Sequence, residues 1–130
     1  MVREEKLSLK QAECIKLKDI DTFAGSSIGE RIKRAYAYGG GKREKPFVFE
    51  YDRQLVQGVI DLYFIEDGQL VIVDYKTDRV LRGRAGEDEL RRRYSIQLDY
   101  YAMALSQITG LKVKEKVIYS FALGRSLTVE

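Results

Sequence analysis

The 130-residue sequence contains no histidine and no tryptophan, one cysteine (Cys14) and one proline (Pro46). Without histidine there is no Ser/His/Asp or Cys/His nucleophile pair, no imidazole base, and no zinc or iron site that depends on imidazole. Any catalysis must draw on carboxylates, lysine, tyrosine or a bound metal. A single cysteine forms no internal disulfide and holds no Cys-based zinc or iron–sulfur site, which fits a reducing cytoplasm. Cys14 reads as a small core residue. No stretch approaches the roughly 18 apolar residues of a membrane span, and Met1 to Lys10 lack the apolar region of a secretion signal. The expected location is the cytoplasm, with no membrane partner.

What is present suits one domain. A chain of this length that is 45% hydrophobic and 33% charged can bury a modest core, removing roughly two-thirds of its unfolded surface from water. The net charge of +3 only permits a polyanionic partner. Two capping boxes predict helices near the N-terminus, Ser8 with Gln11 ahead of Ala12, Ile15 and Leu17, and Ser27 with Glu30 ahead of Ile28, Ile32, Ala35 and Tyr36. Gly39 to Gly41 form a flexible connector into the basic stretch Lys42 to Lys45, and Pro46 fits the start of a strand over Phe47, Val48, Phe49 and Tyr51.

Leu55 to Ile65 and Leu70 to Tyr75 flank Asp67-Gly68, a strong signal for a two-residue hairpin. Thr77 to Asp88 reads as a polar loop, Glu89 to Gln107 as a helix closed by Gly110, and Val113 to Phe121 as a last strand ending in a turn at Gly124. The order is helices, three strands, helix, strand. The expected fold class is α/β (α+β), a small mixed β-sheet flanked by helices.

The hairpin has a chemical consequence. With Glu66 opposite Gln69, the register places Asp61 opposite Asp74 in a non-hydrogen-bonded pair, α-carbons about 4.5 Å apart. Lys76 shares the face of Asp74, about 6.6 Å along the strand. The other face of the longer strand, Val56, Gly58, Ile60, Leu62 and Phe64, is apolar throughout. Opposed like charges in apolar surroundings destabilise a sheet unless something compensates. Lys76 offsets part of this; a hard divalent cation held by Asp61, Asp74 and a backbone carbonyl, that of Tyr75, would offset more, and Mg²⁺ is the natural candidate with Mn²⁺ as its substitute. Asp78 reads as a loop cap.

On the helix, Leu90, Tyr94, Gln97, Tyr101, Ala104 and Ile108 form one stripe, with Gln97 a polar intruder in its middle. Gln97 and Tyr101 either face the carboxylates or satisfy backbone groups at a helix–sheet boundary. Arg91, Arg92 and Arg93 fall in the first turns, where cations oppose the helix dipole. With Arg79, Arg82 and Arg84 they read either as a phosphate-binding surface for DNA or as a solvated, salt-bridged one.

In order and spacing, Gly58-Val59-Ile60-Asp61, Val71-Ile72-Val73-Asp74-Tyr75-Lys76-Thr77-Asp78 and Tyr94-Ser95-Ile96-Gln97-Leu98-Asp99-Tyr100-Tyr101 resemble the motifs of the RecB-like branch of the PD-(D/E)xK nucleases. The likeness is greatest to the C-terminal nuclease domain of AddA-type helicase–nuclease subunits, where Arg43 to Phe47 also look at home. The resemblance spans about Leu9 to Phe121. It implies a restriction-endonuclease-like core. It also implies that Asp61 and Asp74 bind metal, that Lys76 orients or activates water, and that Gln97 and Tyr101 position the lysine and the DNA. The implied reaction is Mg²⁺-dependent phosphodiester hydrolysis at DNA ends during double-strand break repair, alongside an AddB-type partner subunit.

The family usually carries a Gly-Thr-x-x-His helix upstream whose histidine completes the metal site. The expectation is therefore that residues 1–130 are a single nuclease domain, a fragment without the helicase domains and short of one metal ligand. Two rivals stand beside it: a DNA-binding module without catalysis, and a stand-alone nuclease of the same branch.

Overall fold

In the computed structural model, residues 17–129 are described. Of the first expected helix only Leu17 falls among them, where α1 (Leu17–Ala24) begins; Ser8, Gln11, Ala12, Cys14 and Ile15 lie outside. Helix α2 (Ser27–Ala37) comes directly after it. Its cap is Ser26, one residue before the expected Ser27: Ser26 Oγ accepts from the amide of Gly29 at 3.1 Å, satisfying one of the free first-turn donors.

Strand β1 (Gly41–Tyr51) begins before Pro46, so Gly41 and the basic stretch Lys42 to Lys45 belong to the strand rather than preceding it. Pro46 sits in the strand's middle, opposite Val59. This is tolerated because, among the described residues, β1 is the edge strand of the sheet, with one side free of the ladder. β2 (Gln54–Glu66) and β3 (Gln69–Lys76) form the expected hairpin. Asp67 (φ 56°) and Gly68 (φ 76°) both adopt the left-handed region that its tight turn requires. A second such turn, Asp52 (φ 52°) and Arg53 (φ 65°), joins β1 to β2. It carries no glycine and therefore no strong sequence signal.

Helix α3 (Arg84–Thr109) starts five residues earlier than expected, after Gly83, which supplies no side-chain cap. Arg91, Arg92 and Arg93 therefore lie beyond its first turn, and the dipole argument against them lapses. Gly110 (φ 76°) ends the helix, its amide donating to the carbonyl of Ser106. β4 (Val113–Ser120) pairs parallel with β3, and β5 (Arg125–Val129), which the sequence pattern did not reveal, pairs antiparallel with β4. Among the described residues the sheet is five-stranded and mixed, in the order β1-β2-β3-β4-β5.

Two apolar layers cover it. On one side Leu90, Leu98, Tyr101, Ala104 and Leu105 of α3 pack with Tyr63, Leu70, Ile72, Ile118 and Leu127. On the other, Ile28, Ile32 and Ala35 of α2 pack with Leu62, Phe64, Val71, Val73, Val117 and Tyr119. The buried stripe of α3 departs from expectation at its end: Ile108 is 49% exposed, whereas Leu98 and Leu105 are fully buried.

The longer strand does not keep one apolar face. Val56 and Ile60 belong to the α3 layer, but Leu62 and Phe64 belong to the α2 layer. β1 changes with it: Phe47 packs toward α3, while the guanidinium of Arg43 sits 5.8 Å from the ring of Tyr36 on α2. The change of side occurs where Glu44 takes a positive φ of 50° and where the β1–β2 pairing omits Glu44 and Asp61. A left-handed residue inside a strand rotates the residues beyond it, so positions of the same parity look the opposite way.

Candidate active site

The β2–β3 ladder holds the predicted register from Glu66↔Gln69 to Leu62↔Val73 and stops there. The next pair would be Asp61 with Asp74. Instead the Asp61 side chain crosses the gap, and its Oδ2 accepts the backbone amide hydrogen of Tyr75 at 2.9 Å. The expected opposed pair is thus not formed in the ladder, but the two carboxylates still interact at the mouth of the opening hairpin.

Asp74 is 2% exposed. Lys76 Nζ lies 3.0 Å from its Oδ2, yet that oxygen has no aligned hydrogen-bond donor. Burial pushes the Asp61 carboxyl up to about 8, the charge of Asp74 acts in the same direction, and the Tyr75 amide and Lys76 only partly oppose this. A buried carboxylate oxygen without an aligned donor, beside a second carboxylate that resists ionisation, is an arrangement a hard cation would relieve. The residues fit such an ion with two carboxylates. Among the described residues no set of three or more His, Cys, Asp or Glu side chains is gathered for one.

Lys76 is placed by more than Asp74. Its Nζ donates to Gln97 Oε1 at 3.2 Å, so the glutamine faces the site rather than the backbone. The same ammonium lies 4.1 Å from the centre of the Tyr94 ring. Tyr101 is buried, edge-on to Phe47 at 5.4 Å. Its phenol is held well above the usual range, first by burial and then by the charges of Asp74 and Asp61. A cleft of about 400 Å³ opens beside these residues, lined by Phe47, Gly58, Ile96, Gln97, Tyr100 and Tyr101. A β-carbon at Gly58 would come within 3.1 Å of the Phe47 ring, so glycine keeps that floor clear.

Asp78 is not a cap. Its Oδ2 accepts from Tyr94 Oη at 2.6 Å and from an Arg93 nitrogen at 2.8 Å, tying the loop after β3 to α3. The sequence carried no signal for this beyond the placement of Asp78 just past the lysine.

The arginines divide. Arg91 donates to Asp88 and to the carbonyl of Thr128; Arg92 pairs with Glu89, and Arg93 with Glu89 and Asp78. Arg84 reaches Asp88 at 3.7 Å from an almost fully exposed position. Arg79 and Arg82 are exposed in the loop. A second cleft, of about 580 Å³, is lined by Arg79, Val80, Gly86, Glu89, Arg92 and Arg93.

The family model of the PD-(D/E)XK nuclease superfamily matches residues 17–127. The chain is 39% identical over 142 aligned residues, covering 98% of it, to the A subunit of the ATP-dependent helicase/nuclease of Thermoanaerobacter sp. (strain X514). It is 34% identical over its whole length to the protein of the same name from Clostridium acetobutylicum. Over 61% of the chain it is 52% identical to that from Lachnoclostridium phytofermentans. The chain spans 11% of the length of the first two relatives and 6% of the third.

Proposed function

The chain belongs to the PD-(D/E)XK nuclease superfamily, and from that membership we propose that it is the metal-dependent deoxyribonuclease domain of a bacterial AddA-type helicase–nuclease. The observation that carries the reading is the convergence of Asp61, the buried carboxylate of Asp74 and Lys76 at one opening of the sheet. Asp61, Asp74 and the carbonyl of Tyr75 would hold a divalent cation, Mg²⁺ or Mn²⁺. Such an ion polarises a phosphoryl oxygen and lowers the pKa of water, which suits a chain without histidine.

The chain's own groups supply the rest. Lys76 points an ammonium at the carboxylate pair, where it orients the attacking water and offsets charge gathering on the phosphate. Gln97 anchors that ammonium, and Tyr101 keeps a neutral phenol within reach of the carboxylate charges. Arg79, Arg82, Arg84, Arg91, Arg92 and Arg93 form the basic bank along which the DNA backbone lies, Arg79 and Arg82 first among them because they are exposed in the loop. On this reading the domain works in the cytoplasm, trimming DNA ends for double-strand break repair by recombination beside an AddB-type partner. No helix among the described residues is long and apolar enough to cross a membrane.

The test is calorimetric titration of Mn²⁺ into the 130-residue chain and into Asp61→Ala and Asp74→Ala, followed by cleavage of a labelled oligonucleotide. Binding lost in both variants, with cleavage lost alongside it, supports the reading. Salt-sensitive DNA binding that ignores Mn²⁺ and survives Asp74→Ala would replace it with a non-catalytic DNA-binding module.

A further inference from the structure

We propose that Tyr94, braced by Asp78 and Arg93, is a positioning residue that fixes the Lys76 ammonium over the carboxylate pair; this rests on the nuclease reading above. Lysine carries its charge on a flexible four-carbon stem, so an ammonium that must act at one point has to be held from several sides. Three contacts do so here: Asp74 Oδ2 at 3.0 Å, Gln97 Oε1 at 3.2 Å and the face of the Tyr94 ring at 4.1 Å. Two of the three partners are neutral. Gln97 and Tyr94 therefore hold the lysine whatever charge the carboxylates carry, and the ring face attracts a cation without neutralising it.

The ring is itself held. Tyr94 Oη donates to Asp78 Oδ2 at 2.6 Å, the same oxygen accepts from Arg93 at 2.8 Å, and Arg93 Nε donates to Glu89 at 2.9 Å. This chain of contacts joins the loop that leaves β3 just after Lys76 to the helix that covers the site. Arg93 then has a task inside the protein that competes with gripping DNA. Helical spacing makes the arrangement compact: Glu89 and Arg93 are four residues apart, and Tyr94 is three before Gln97, so brace and anchor come from neighbouring turns of α3. Since misplacement by about 1 Å can lower a rate by about a hundredfold, the brace should be felt in turnover.

The experiment reads geometry and rate separately on the 130-residue chain. A proton resting over an aromatic face is shifted upfield, so the ε-methylene protons of Lys76, assigned by their disappearance in Lys76→Arg, report the stacking by NMR. The expected result is an upfield signal in the parent and in Tyr94→Phe, a signal at the free-lysine position in Tyr94→Leu, and a reduced shift in Asp78→Asn. With Mn²⁺ and an oligonucleotide, Tyr94→Leu lowers kcat by about tenfold or more while KM stays within about threefold, and Tyr94→Phe recovers most of the loss.

A parent without the shifted signal overturns the proposal even if it cleaves DNA. So does Tyr94→Leu turning over at the parental rate, or losing only KM, which would make Tyr94 a DNA contact. Should Tyr94→Leu not fold, Asp78→Asn decides in its place: an unchanged shift with unchanged kcat overturns the brace. A shifted lysine in a parent that binds metal but does not cleave would instead defeat the nuclease reading, and the positioning role with it.

Discussion

Asp61 Oδ2 accepts the amide hydrogen of Tyr75 across the gap where the β2–β3 ladder ends, so a side chain occupies the place of a backbone hydrogen bond. Burial and the neighbouring charge of Asp74 raise the Asp61 carboxyl there, and the amide contact opposes them only in part. The sheet is opened there, and the opening is where the charges collect. On the proposed function, metal binding and cleavage depend on it, and stability does too.

Without metal, the chain should lose stability as pH rises. A carboxyl whose folded-state pKa is raised binds more protons in the native state than in the unfolded one between about pH 4 and about pH 8, and the slope of unfolding free energy with pH is therefore negative. Thermal unfolding should give a lower Tm at pH 8 than at pH 5. Asp61→Asn, which keeps an acceptor for the Tyr75 amide, should flatten that dependence and abolish Mn²⁺ binding. An unchanged slope in Asp61→Asn would mean that other groups dominate.

Lys76→Ala should leave Mn²⁺ affinity within about twofold and lower cleavage by at least about a hundredfold, the scale of removing one preorganised charge-stabilising group. In a full-length helicase–nuclease carrying this domain, ATP-driven unwinding should persist. Retained cleavage would remove Lys76 from the mechanism.

DNA binding should weaken unequally along the arginine bank. Removing a phosphate contact lowers the salt dependence of log K by about one per charge. Arg79→Ala and Arg82→Ala should each do so, while Arg91→Ala should do less, because Arg91 is occupied by Asp88 and the Thr128 carbonyl. Equal slopes for all three would show that the ion pairs open in the complex.

Away from the site, an ion cluster supports the structure. Arg31 bonds Glu66 at 2.8 Å and also pairs with Glu115, while Lys114 bonds Glu66 at 2.8 Å. Arg31 first and Lys114 second lower Glu66 to about 2. Its folded-state pKa is depressed, so its stabilisation is present above about pH 4.5 and lost as pH falls toward 2. Arg31→Ala should cost about 1 kcal/mol at pH 7 after solvent screening, and denaturant unfolding at pH 3 should show a smaller difference.

Gly86→Ala should disturb the loop that carries Asp78. A β-carbon there would lie 1.6 Å from the carbonyl oxygen of Leu81, so loop or helix must move, at about 1–3 kcal/mol. Circular-dichroism melting should register the loss. A neutral result would mean that residues 79–83 shift freely without strain.

Much of this was legible in the residues alone, where the signal is local. Asp67-Gly68 determines a tight turn because its torsions are intrinsic to two residues, and with the turn set, the two-residue period carries the register to Leu62 and Val73 and puts Asp74 and Lys76 on one face, leaving Asp61 one step beyond the paired ladder. Helical period likewise put Gln97 and Tyr101 on one face of α3. Pro46 inside a strand, β5 and the start of α3 at Arg84 were not legible, since an edge position, a short strand and an uncapped helix end leave little local trace. Nor was the change of side between Ile60 and Leu62, which depends on a left-handed Glu44 in a neighbouring strand.

By itself, then, the sequence determined the hairpin, its register and the residues that meet at its open end, because these come from torsions and periods acting over a few positions. Tertiary structure alone decided that Asp61 would bond the Tyr75 amide, that Lys76 would reach Gln97 and rest on Tyr94, and that Arg93 would turn inward to Asp78. Those contacts join residues 14 to 21 positions apart, and only the opening of the hairpin and the packing of α3 across the sheet bring them within reach.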